Sequence, residues 1–457
     1  MNLDPKPPQM PDKTGRTQRP KGEAQKTMCR EEKGAAVQGD GGSGTTDLLQ
    51  RALSRPNLLA ALKRVKKNKG APGIDGMTVE QLSQHLREHW PGIKEQLLQG
   101  TYQPKPVRQK LIPKGNGQMR RLGIPTALDR FIQQALSQVL GPVFEPSFSV
   151  HSHGFRPGHS AKGAILEAQG YIEQGHTWVV DIDLETFFDR VNHDVLMGRL
   201  AKKIADRRML GLIRRYLEAG MMVEGVVMET EEGTPQGGPL SPLLANVLLD
   251  EVDKELEKRG HSFVRYADDC NVYVGSERAG QRVMALMRRL YENLRLKINE
   301  SKSAVAQVWD RKILGYAFGR TREGKIQRRV AKKRKTAMKD KVRGLTGRMG
   351  GRSLSQVIER LTEYLRGWWE YFQLAETPWD FESLDRWIRR RLRAIQLKQW
   401  KRGTTIYLKL KALGLSTEKA KKVAGSAGRW WKASGMYINI AMPNSYFEKL
   451  GLFRLQR

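Results

Sequence analysis

Two adjacent carboxylates, Asp268 and Asp269, stand between two short apolar runs in the segment FVRYADDCNVYV. Such runs on either side of polar residues predict two strands joined by a tight turn, with both acids at its tip. Neighbouring carboxylates repel each other unless a cation joins them, so this turn is suited to binding metal. The alternative for an isolated Asp-Asp pair is an ordinary surface turn, because Asp is a good turn former.

A second pair of acids, Asp181 and Asp183, ends the apolar segment WVVDID. Alternation along a strand places both side chains on one face. Nucleotidyl transfer by two metals needs carboxylates from separate strands, which hold Mg²⁺ ions about 3.5–4 Å apart. Mg²⁺ prefers hard oxygen ligands and keeps water and phosphate oxygens in its shell, so two or three carboxylates are enough.

The overall charge indicates a polyanionic partner. The 457 residues include 81 Lys and Arg against 48 Asp and Glu, a net charge of +33. Nucleic acid or an anionic membrane would suit this surplus. No apolar stretch approaches the ~18 residues that span a bilayer, so nucleic acid is the simpler interpretation and no membrane is expected. The only cysteines, Cys29 and Cys270, exclude a disulfide framework and a cysteine-rich zinc site, as is typical of a reducing cytoplasm.

Basic residues are concentrated in the last third of the chain. Residues 320–457 hold 34 Lys and Arg against 11 Asp and Glu, together with seven of the ten tryptophans. Basic charge mixed with aromatic side chains suits a surface that binds nucleic acid, although each single Trp is more simply a core residue. The candidate nucleic-acid-binding residues are Lys332, Lys333, Arg334, Lys335, Arg389, Arg390, Arg391 and Arg393. The alternative is that these runs only keep the region soluble.

The elements that must position the acids follow from hydrophobic periodicity. Helices are predicted over Asp129–Leu140, Met197–Glu218, Pro242–Lys258 and Arg278–Leu294, and strands over Tyr102–Ile112, Trp178–Asp183 and Met222–Met228, besides the pair around Asp268. Residues from Ser353 to Trp400 are almost all helical by pattern. The fold class is therefore α+β, followed by an all-α region. Residues 1–47 are polar and rich in Pro and Gly, which predicts a disordered tail.

Several motifs together resemble one family. They are YADD at 266–269, DIDLETFFD at 181–189, GTPQGGPLSP at 233–242, LIPKGNGQMRRLGIP at 111–125, HSHGFRPG at 151–158, LKINESKS at 296–303 and ILGYAFG at 313–319. Two further segments, 353–373 and 384–402, resemble a maturase region. The motifs occur along the chain in the order expected of one family. From about Leu48 to the C-terminus, the chain is similar to group II intron reverse transcriptases/maturases.

The resemblance implies roles for single residues. Asp183, rather than Asp181, matches the first ligand of two Mg²⁺ ions, which Asp268 and Asp269 complete at the catalytic centre. Phe188 matches the ring that excludes a ribose 2′-OH, with Phe187 the better candidate for a core residue. The other nucleotide-binding candidates are Lys114 and Arg120 at the triphosphate, Gln236 beside the nascent base pair, Arg156 steering template or nucleotide, and Lys302 near the leaving pyrophosphate. Lys302 could equally be a solvated lysine.

The resemblance also implies an architecture and a biology. The expected fold is a right-hand polymerase: an N-terminal extension (48–100), fingers and palm (101–320), an all-α thumb or maturase domain (321–405) and a small basic DNA-binding segment (406–457). The expected partners are group II intron RNA, a DNA target or primer, and dNTPs, in a bacterial-type cytoplasm and at the nucleoid. No histidine follows His261 and no cysteine follows Cys270, so a form lacking the His- and Cys-containing endonuclease is expected.

Three alternatives stay open at this point. The chain could be a maturase that splices without polymerising, although intact YADD, Asp183 and PQG motifs argue against this. It could be a basic RNA chaperone that kept only the fold. It could also be a reverse transcriptase used in defence or diversity generation, although such enzymes usually lack a maturase-type thumb.

Overall fold

The computed structural model describes residues 45–113, 119–223, 226–228, 232–234, 237–347 and 351–456. A mixed first group of elements precedes a helical second group. The first group comprises α1 (Leu48–Ala52), α2 (Arg55–Asn68), α3 (Leu82–Gln99), β1 (Val107–Pro113), β2 (Met119–Ile124), α4 (Ala127–Phe144), α5 (Ala161–Glu173), β3 (Trp178–Ile182), α6 (His193–Ala201), α7 (Arg207–Glu218), β4 (Met221–Val223), β5 (Val226–Met228), α8 (Ser241–Lys258), β6 (Ser262–Tyr266), β7 (Asp269–Val274), α9 (Glu277–Asn293), β8 (Ala304–Gln307), β9 (Lys312–Ile313), β10 (Tyr316–Arg320) and β11 (Ile326–Val330), with 3₁₀ turns at Glu145–Ser147 and Phe187–Asp189. The second group comprises α10 (Lys332–Leu345), α11 (Leu354–Phe372), α12 (Pro378–Trp400), α13 (Gly403–Ala412), α14 (Thr417–Ala424), α15 (Trp430–Ala433), α16 (Ile438–Ala441) and α17 (Asn444–Lys449).

The strands of the described residues form three sheets. The central sheet has the antiparallel order β6-β7-β3-β8. A second sheet has the order β2-β1-β4-β5, and a small sheet the order β11-β10-β9. Because β3 lies directly beside β7 in the central sheet, the two segments that carry the acid pairs are neighbours.

The two faces of the central sheet pack on different cores. Val180 and Ile182 of β3 belong to a core that includes residues of α1–α4 and α6–α9, whereas Val179 of the same strand packs in the core of α5 and the C-terminal helices. Successive side chains of a strand point to opposite faces. Asp181 therefore lies on the Val179 face, towards the C-terminal helices.

Most predicted elements are confirmed, with two differences. The segment Met197–Glu218 was expected to form one helix but contains α6 and α7, because the Asp206 carboxylate accepts hydrogen bonds from the backbone N–H groups of Arg208 and Met209 and so begins α7. Asp206 also accepts from the Leu49 N–H at 2.9 Å, a contact between distant parts of the chain that periodicity does not predict. The predicted strand Met222–Met228 is the antiparallel pair β4 and β5.

The α+β fold class with an all-helical C-terminal region is confirmed. The domain limits expected from the sequence stay a prediction. The limit at 320/321 lies between the paired strands β10 and β11, and the limit at 405/406 lies inside α13. Residues 1–44 of the expected tail lie outside the described residues. Among the helices that the structure describes, none combines the length and apolar character needed to cross a membrane.

Candidate active site

The acidic turn is the tip of the β6–β7 hairpin, as predicted. Tyr266 pairs with Asp269 across the hairpin, and Ala267 and Asp268 form the two-residue turn. Ala267 has a φ of 58°, a left-handed conformation that is uncommon for a residue with a side chain. The surroundings must hold this strained turn in place, and strain of this kind is concentrated at functional sites.

A buried network braces the hairpin. The Arg265 guanidinium is fully buried and forms an ion pair with the equally buried Asp253 of α8, at 2.5 Å. Arg265 also donates hydrogen bonds to the Ala267 carbonyl at 2.9 Å and to the Asn246 side chain at 3.0 Å. The Asn246 amide in turn donates to the Gly154 carbonyl at 2.9 Å. Helix α8, the hairpin and the 151–158 loop are thus joined by charged and polar contacts that exclude water.

Three of the four acids, all but Asp268, line one cleft of about 760 Å³. Its lining includes Asp181, Asp183 and Asp269, because β3 and β7 are adjacent in the sheet. Burial and then repulsion from Asp268, Asp183 and Asp181 raise the pKa of the Asp269 carboxyl to about 7. Negative charge is therefore concentrated at these aspartates, and a cation would relieve their repulsion.

Two basic side chains already neutralise part of this charge. Lys302 Nζ lies 3.0 Å from Asp183 Oδ1. Arg311 Nε and Nη2 lie 2.8 and 2.6 Å from Asp181 Oδ2, and Arg311 also donates to the Lys302 carbonyl at 2.6 Å. Asp181 is thus held by an arginine, as Asp183 is held by a lysine. Lys302 is brought to the acids, as its motif suggested.

The donor set fits Mg²⁺ by its chemistry, since carboxylate oxygens are the ligands that this ion prefers. In the described parts of the chain, however, no three His, Cys, Asp or Glu side chains are grouped closely enough to hold a metal ion. The contact between Lys302 and Asp183 is one physical reason, because it uses an oxygen that a metal would need. The assignment of Asp183, Asp268 and Asp269 as metal ligands stays a prediction.

The adjacent rings of Phe187 and Phe188 differ as expected. Phe187 is 2% exposed and lies in the core, whereas Phe188 is only partly buried. The ring centroids are 5.1 Å apart in an edge-to-face contact. The Thr234 N–H donates to the Phe188 carbonyl at 2.7 Å, so the start of the GTPQGG motif is fixed to this turn.

Arg156 does not fit the nucleotide-binding role expected of it. Its side chain is 5% exposed, and Nε and Nη2 both lie 2.9 Å from Glu145 Oε1. The guanidinium also donates to the Ser149 carbonyl and, at 2.8 Å, to the Ser152 carbonyl. All these partners belong to the protein, so Arg156 stabilises the 145–156 segment instead of reaching a ligand.

Three other nucleotide-binding candidates cannot be placed. Lys114 and Gln236 lie outside the described residues, as does the side chain of Arg120. The backbone of Arg120 pairs with that of Ile112 between the antiparallel strands β1 and β2.

The two basic runs of the C-terminal third have different surroundings. Lys332, Lys333 and Arg334 are exposed at the start of α10 and line the same cleft as the aspartates. Lys335 instead lies 3.0 Å from Asp380. The first run thus places positive charge beside the acidic site.

The second run does not form the free basic surface expected of it. Arg393 is 8% exposed and donates to the Met442 carbonyl at 2.9 and 3.1 Å. Arg391 donates to Thr346 Oγ1 at 2.6 Å, and Arg390 stacks on the Trp431 ring at 4.2 Å. Arg389 is partly buried beside Asp385. These arginines mainly join helices to one another, because α12 lies inside the C-terminal bundle.

Sequence reasoning missed Arg265, Asp253 and Arg311 as parts of the site, and it noted Asn246 only as a residue on the helix after the GTPQGG motif. Arg265 and Arg311 stand next to recognised motifs, and Asp253 and Asn246 follow at helical spacing after GTPQGG, so position beside a motif was the available signal. Their roles depend on which buried partner each side chain meets. One-dimensional spacing does not contain that information.

Two families of known proteins match this arrangement in order along the chain. The family "Reverse transcriptase (RNA-dependent DNA polymerase)" matches residues 112–318, and "Group II intron, maturase-specific domain" matches residues 335–413. The chain belongs to the group II intron reverse transcriptases/maturases. All three aspartates, Phe188 and Lys302 lie within the reverse transcriptase segment, and Arg389–Arg393 lie within the maturase segment.

Curated relatives share the reverse transcriptase segment with this group II intron protein. The present chain is 38% identical over 218 residues to Protein YkfC of Escherichia coli (strain K12), and the match covers 46% of this chain and 57% of the relative. It is 41% identical over 210 residues to the group II intron-encoded protein LtrA of Lactococcus lactis subsp. cremoris, covering 45% of this chain and 34% of LtrA. The matches thus span between a third and three fifths of these relatives. A solved chain of a partial Cas6-RT-Cas1--Cas2 complex, 29% identical over 54% of this chain and 41% of its own length, has a TM-score of 0.34, too low to inform the fold.

Proposed function

We propose that this chain is an RNA-directed DNA polymerase that adds dNTPs to a primer, with Asp183, Asp268 and Asp269 as its catalytic carboxylates. The observation that carries the proposal is the single cleft in which Asp183 and Asp269 meet beneath the tip of a braced hairpin. A surface turn needs neither a buried ion pair beneath it nor a second strand of acids beside it. Membership of the reverse transcriptase family gives independent support.

Two Mg²⁺ ions held by these carboxylates would supply activation of the primer 3′-OH and neutralisation of the pyrophosphate. The chain's own residues bind and orient. Arg265 and Asn246 fix the hairpin. The partly buried Phe188 is proposed as the ring that excludes a 2′-OH. Lys302 lies close enough to the acids to meet a phosphate oxygen once Asp183 is engaged elsewhere.

We further propose that the protein binds a group II intron RNA, assists its splicing and copies it into DNA at a target site. Support comes from the maturase family match and from the exposed cations at the start of α10. In this scheme residues 48–100 form an extension, 101–320 the fingers and palm, 321–405 the thumb and 406–457 a DNA-binding segment. The bacterial relatives favour a cytoplasmic protein that meets DNA at the nucleoid.

The polymerase proposal is tested by primer extension on an RNA template with and without Mg²⁺. Asp269→Asn keeps the shape of the side chain and removes its charge. We expect it to lower the rate of nucleotide addition by roughly a hundredfold or more, with template–primer affinity within a few-fold of wild type. Thermal stability should be unchanged or higher, because the substitution removes repulsion among neighbouring carboxylates.

The matched control is Asp340→Asn, which removes an exposed carboxylate of α10 that pairs only with Arg343. It should extend primers like the wild type. Normal extension by Asp269→Asn would remove this residue from the catalytic site. A wild-type protein that never extends a primer, yet promotes splicing of its intron RNA, would favour the splicing-only maturase.

A further inference from the structure

Phe155 is held in a conformation that its own chemistry disfavours. Its φ is 61°, in the left-handed region where a β-carbon is crowded by the following carbonyl. The cause lies in the preceding residue. Gly154 packs so closely on the catalytic hairpin that a β-carbon there would meet the Ala267 nitrogen at 2.3 Å, and its carbonyl is fixed by Asn246. The loop is thus clamped to the hairpin, and the clamp determines where Phe155 points.

The clamp turns the Phe155 ring towards solvent. Phe155 is 54% exposed, although an aromatic ring normally contributes to folding by being buried. Its ring centroid lies 6.5 Å from that of Tyr266, the residue that begins YADD. Tyr266 itself lines the cleft with Asp183 and Asp269. A strained backbone that exposes an apolar ring beside a catalytic site is better explained by a ligand than by internal packing.

The chemistry of the ring limits what that ligand can be. Phe155 offers a flat apolar surface and no hydrogen-bonding group, so it suits a base or a sugar and not a phosphate. Arg156, the next residue, is turned inwards and adds no charge to this surface. The proposed primer 3′ end must lie at Asp183 and Asp269. Tyr266 pairs with Asp269 across the hairpin, so a ring beside Tyr266 is a neighbour of that position.

We propose that Phe155, together with Tyr266, contacts the terminal base pair of the template–primer duplex and so positions the primer 3′ end over the catalytic aspartates. This inference rests on the proposed polymerase function. The 151–158 loop then acts as a rigid support, joined through Gly154 and Asn246 to the hairpin whose acids it serves. On this proposal the Phe155 ring must face the duplex, and this requirement explains the strained backbone at Phe155.

Four variants test the inference: Phe155→Ala, Phe155→Gly, Phe155→Tyr, and the control Val150→Ala. Val150 is an apolar residue of the same segment and is 67% exposed. Three quantities are measured for each variant. They are the melting temperature, the affinity for a fluorescent RNA template–DNA primer duplex, and the single-turnover rate of dNTP addition at saturating duplex.

Phe155→Gly gives the sharpest result, because glycine adopts a φ of 61° without strain. We expect it to melt at the wild-type temperature or above. We also expect the addition rate or the duplex affinity to fall roughly tenfold, in line with the loss of one base–aromatic contact. Phe155→Ala should lose function similarly, Phe155→Tyr should retain it, and Val150→Ala should match the wild type.

Two results would overturn the inference. One is normal duplex affinity and addition rate in both Phe155→Gly and Phe155→Ala. The other is a loss of function that accompanies a drop in melting temperature in every Phe155 variant, including Tyr, which would make the ring a structural element. If the wild type extends no primer, the polymerase proposal fails separately. The inference is then overturned unless duplex affinity alone still falls in Phe155→Gly.

Discussion

At the scale of single residues, Phe188 offers a test of sugar selection. Its ring is partly exposed and lies against the buried ring of Phe187. We expect Phe188→Val to admit rNTPs, because the smaller side chain leaves room for the ribose 2′-OH. The dNTP/rNTP ratio of kcat/KM should fall on the order of tenfold to a hundredfold. Kinetics with matched dNTPs and rNTPs measure the ratio.

Phe187→Val is the control for this prediction. Its ring is 2% exposed, so the substitution should lower the melting temperature and leave the sugar ratio unchanged. If instead Phe187→Val changes the ratio and Phe188→Val does not, Phe187 contacts the sugar and the assignment must be reversed.

The sequence predicted the surroundings of some side chains correctly and those of others wrongly. The Asp268–Asp269 turn followed from the apolar residues on either side, a local signal, whereas the difference between Phe187 and Phe188 followed from the family resemblance. Arg156 and Arg393 were expected to face nucleic acid, yet both are buried and bound to backbone carbonyls. An arginine in a sequence shows its charge but not its partners. Only the folded chain decides whether the guanidinium meets solvent or a carbonyl.

At the scale of elements, the start of α10 is unusual because it gathers positive charge where a helix favours negative charge. Lys332, Lys333 and Arg334 stand in the first turn, which has no acidic residue. Cations there are repelled by the helix dipole, whereas a phosphate would be attracted both by the dipole and by the cations. We therefore propose that the start of this helix contacts the nucleic-acid backbone at the cleft.

We predict that changing Lys332, Lys333 and Arg334 together to Gln weakens RNA template–primer binding and lowers the slope of log affinity against log salt by about 2 to 3, one unit for each lost phosphate contact. Helix stability should not fall, because the dipole is no longer opposed. Binding measured at several salt concentrations gives the slope. Lys335→Gln is the control, because the Lys335 side chain is already paired with Asp380. This variant should leave the slope unchanged. An unaltered slope in the triple variant would mean that the RNA lies elsewhere.

Hydrophobic periodicity predicted those helices and strands whose regularly spaced apolar residues pack in the core. Helix α8 and the β6–β7 hairpin appear where the apolar residues placed them. The break between α6 and α7 was missed because it depends on Asp206, whose carboxylate also meets the N–H of Leu49, 157 residues away. Contacts over that distance leave no periodic trace in the sequence.

At the scale of the whole molecule, the catalytic sheet and the C-terminal helices share one core. Val179, Val264 and Tyr273 of the central sheet pack in the same cluster as residues of α10–α17. Arg328 of β11 adds a polar link, with Nη2 2.9 Å from Glu376 Oε1, Nε donating to the Leu374 carbonyl at 2.8 Å and Nη1 donating to Gln169 of α5. The two regions should therefore unfold together.

We predict a single urea transition, seen equally by tryptophan fluorescence, which reports mainly the C-terminal third, and by hydrogen exchange in β3. Arg328→Ala should lower the free energy of unfolding by about 3 kcal/mol, because it removes the ion pair with Glu376 and the side-chain hydrogen bonds to the Leu374 carbonyl and to Gln169. Arg320→Ala is the matched control on β10, where the side chain is exposed and stacks on Trp309. It should cost less than about 1 kcal/mol. Two separate transitions would show that the regions are energetically independent.

The approach of Gly154 to Ala267 also limits how this gene can vary. Every single-base change in a glycine codon that alters the amino acid installs a residue with a β-carbon. At position 154 that atom would meet backbone at 2.3 Å, and backbone cannot rotate away as a long side chain can. Neighbouring codons can change one base at a time with graded effects. Codon 154 has no such intermediate step, so any lineage that replaces this glycine must first move the hairpin that carries the catalytic acids.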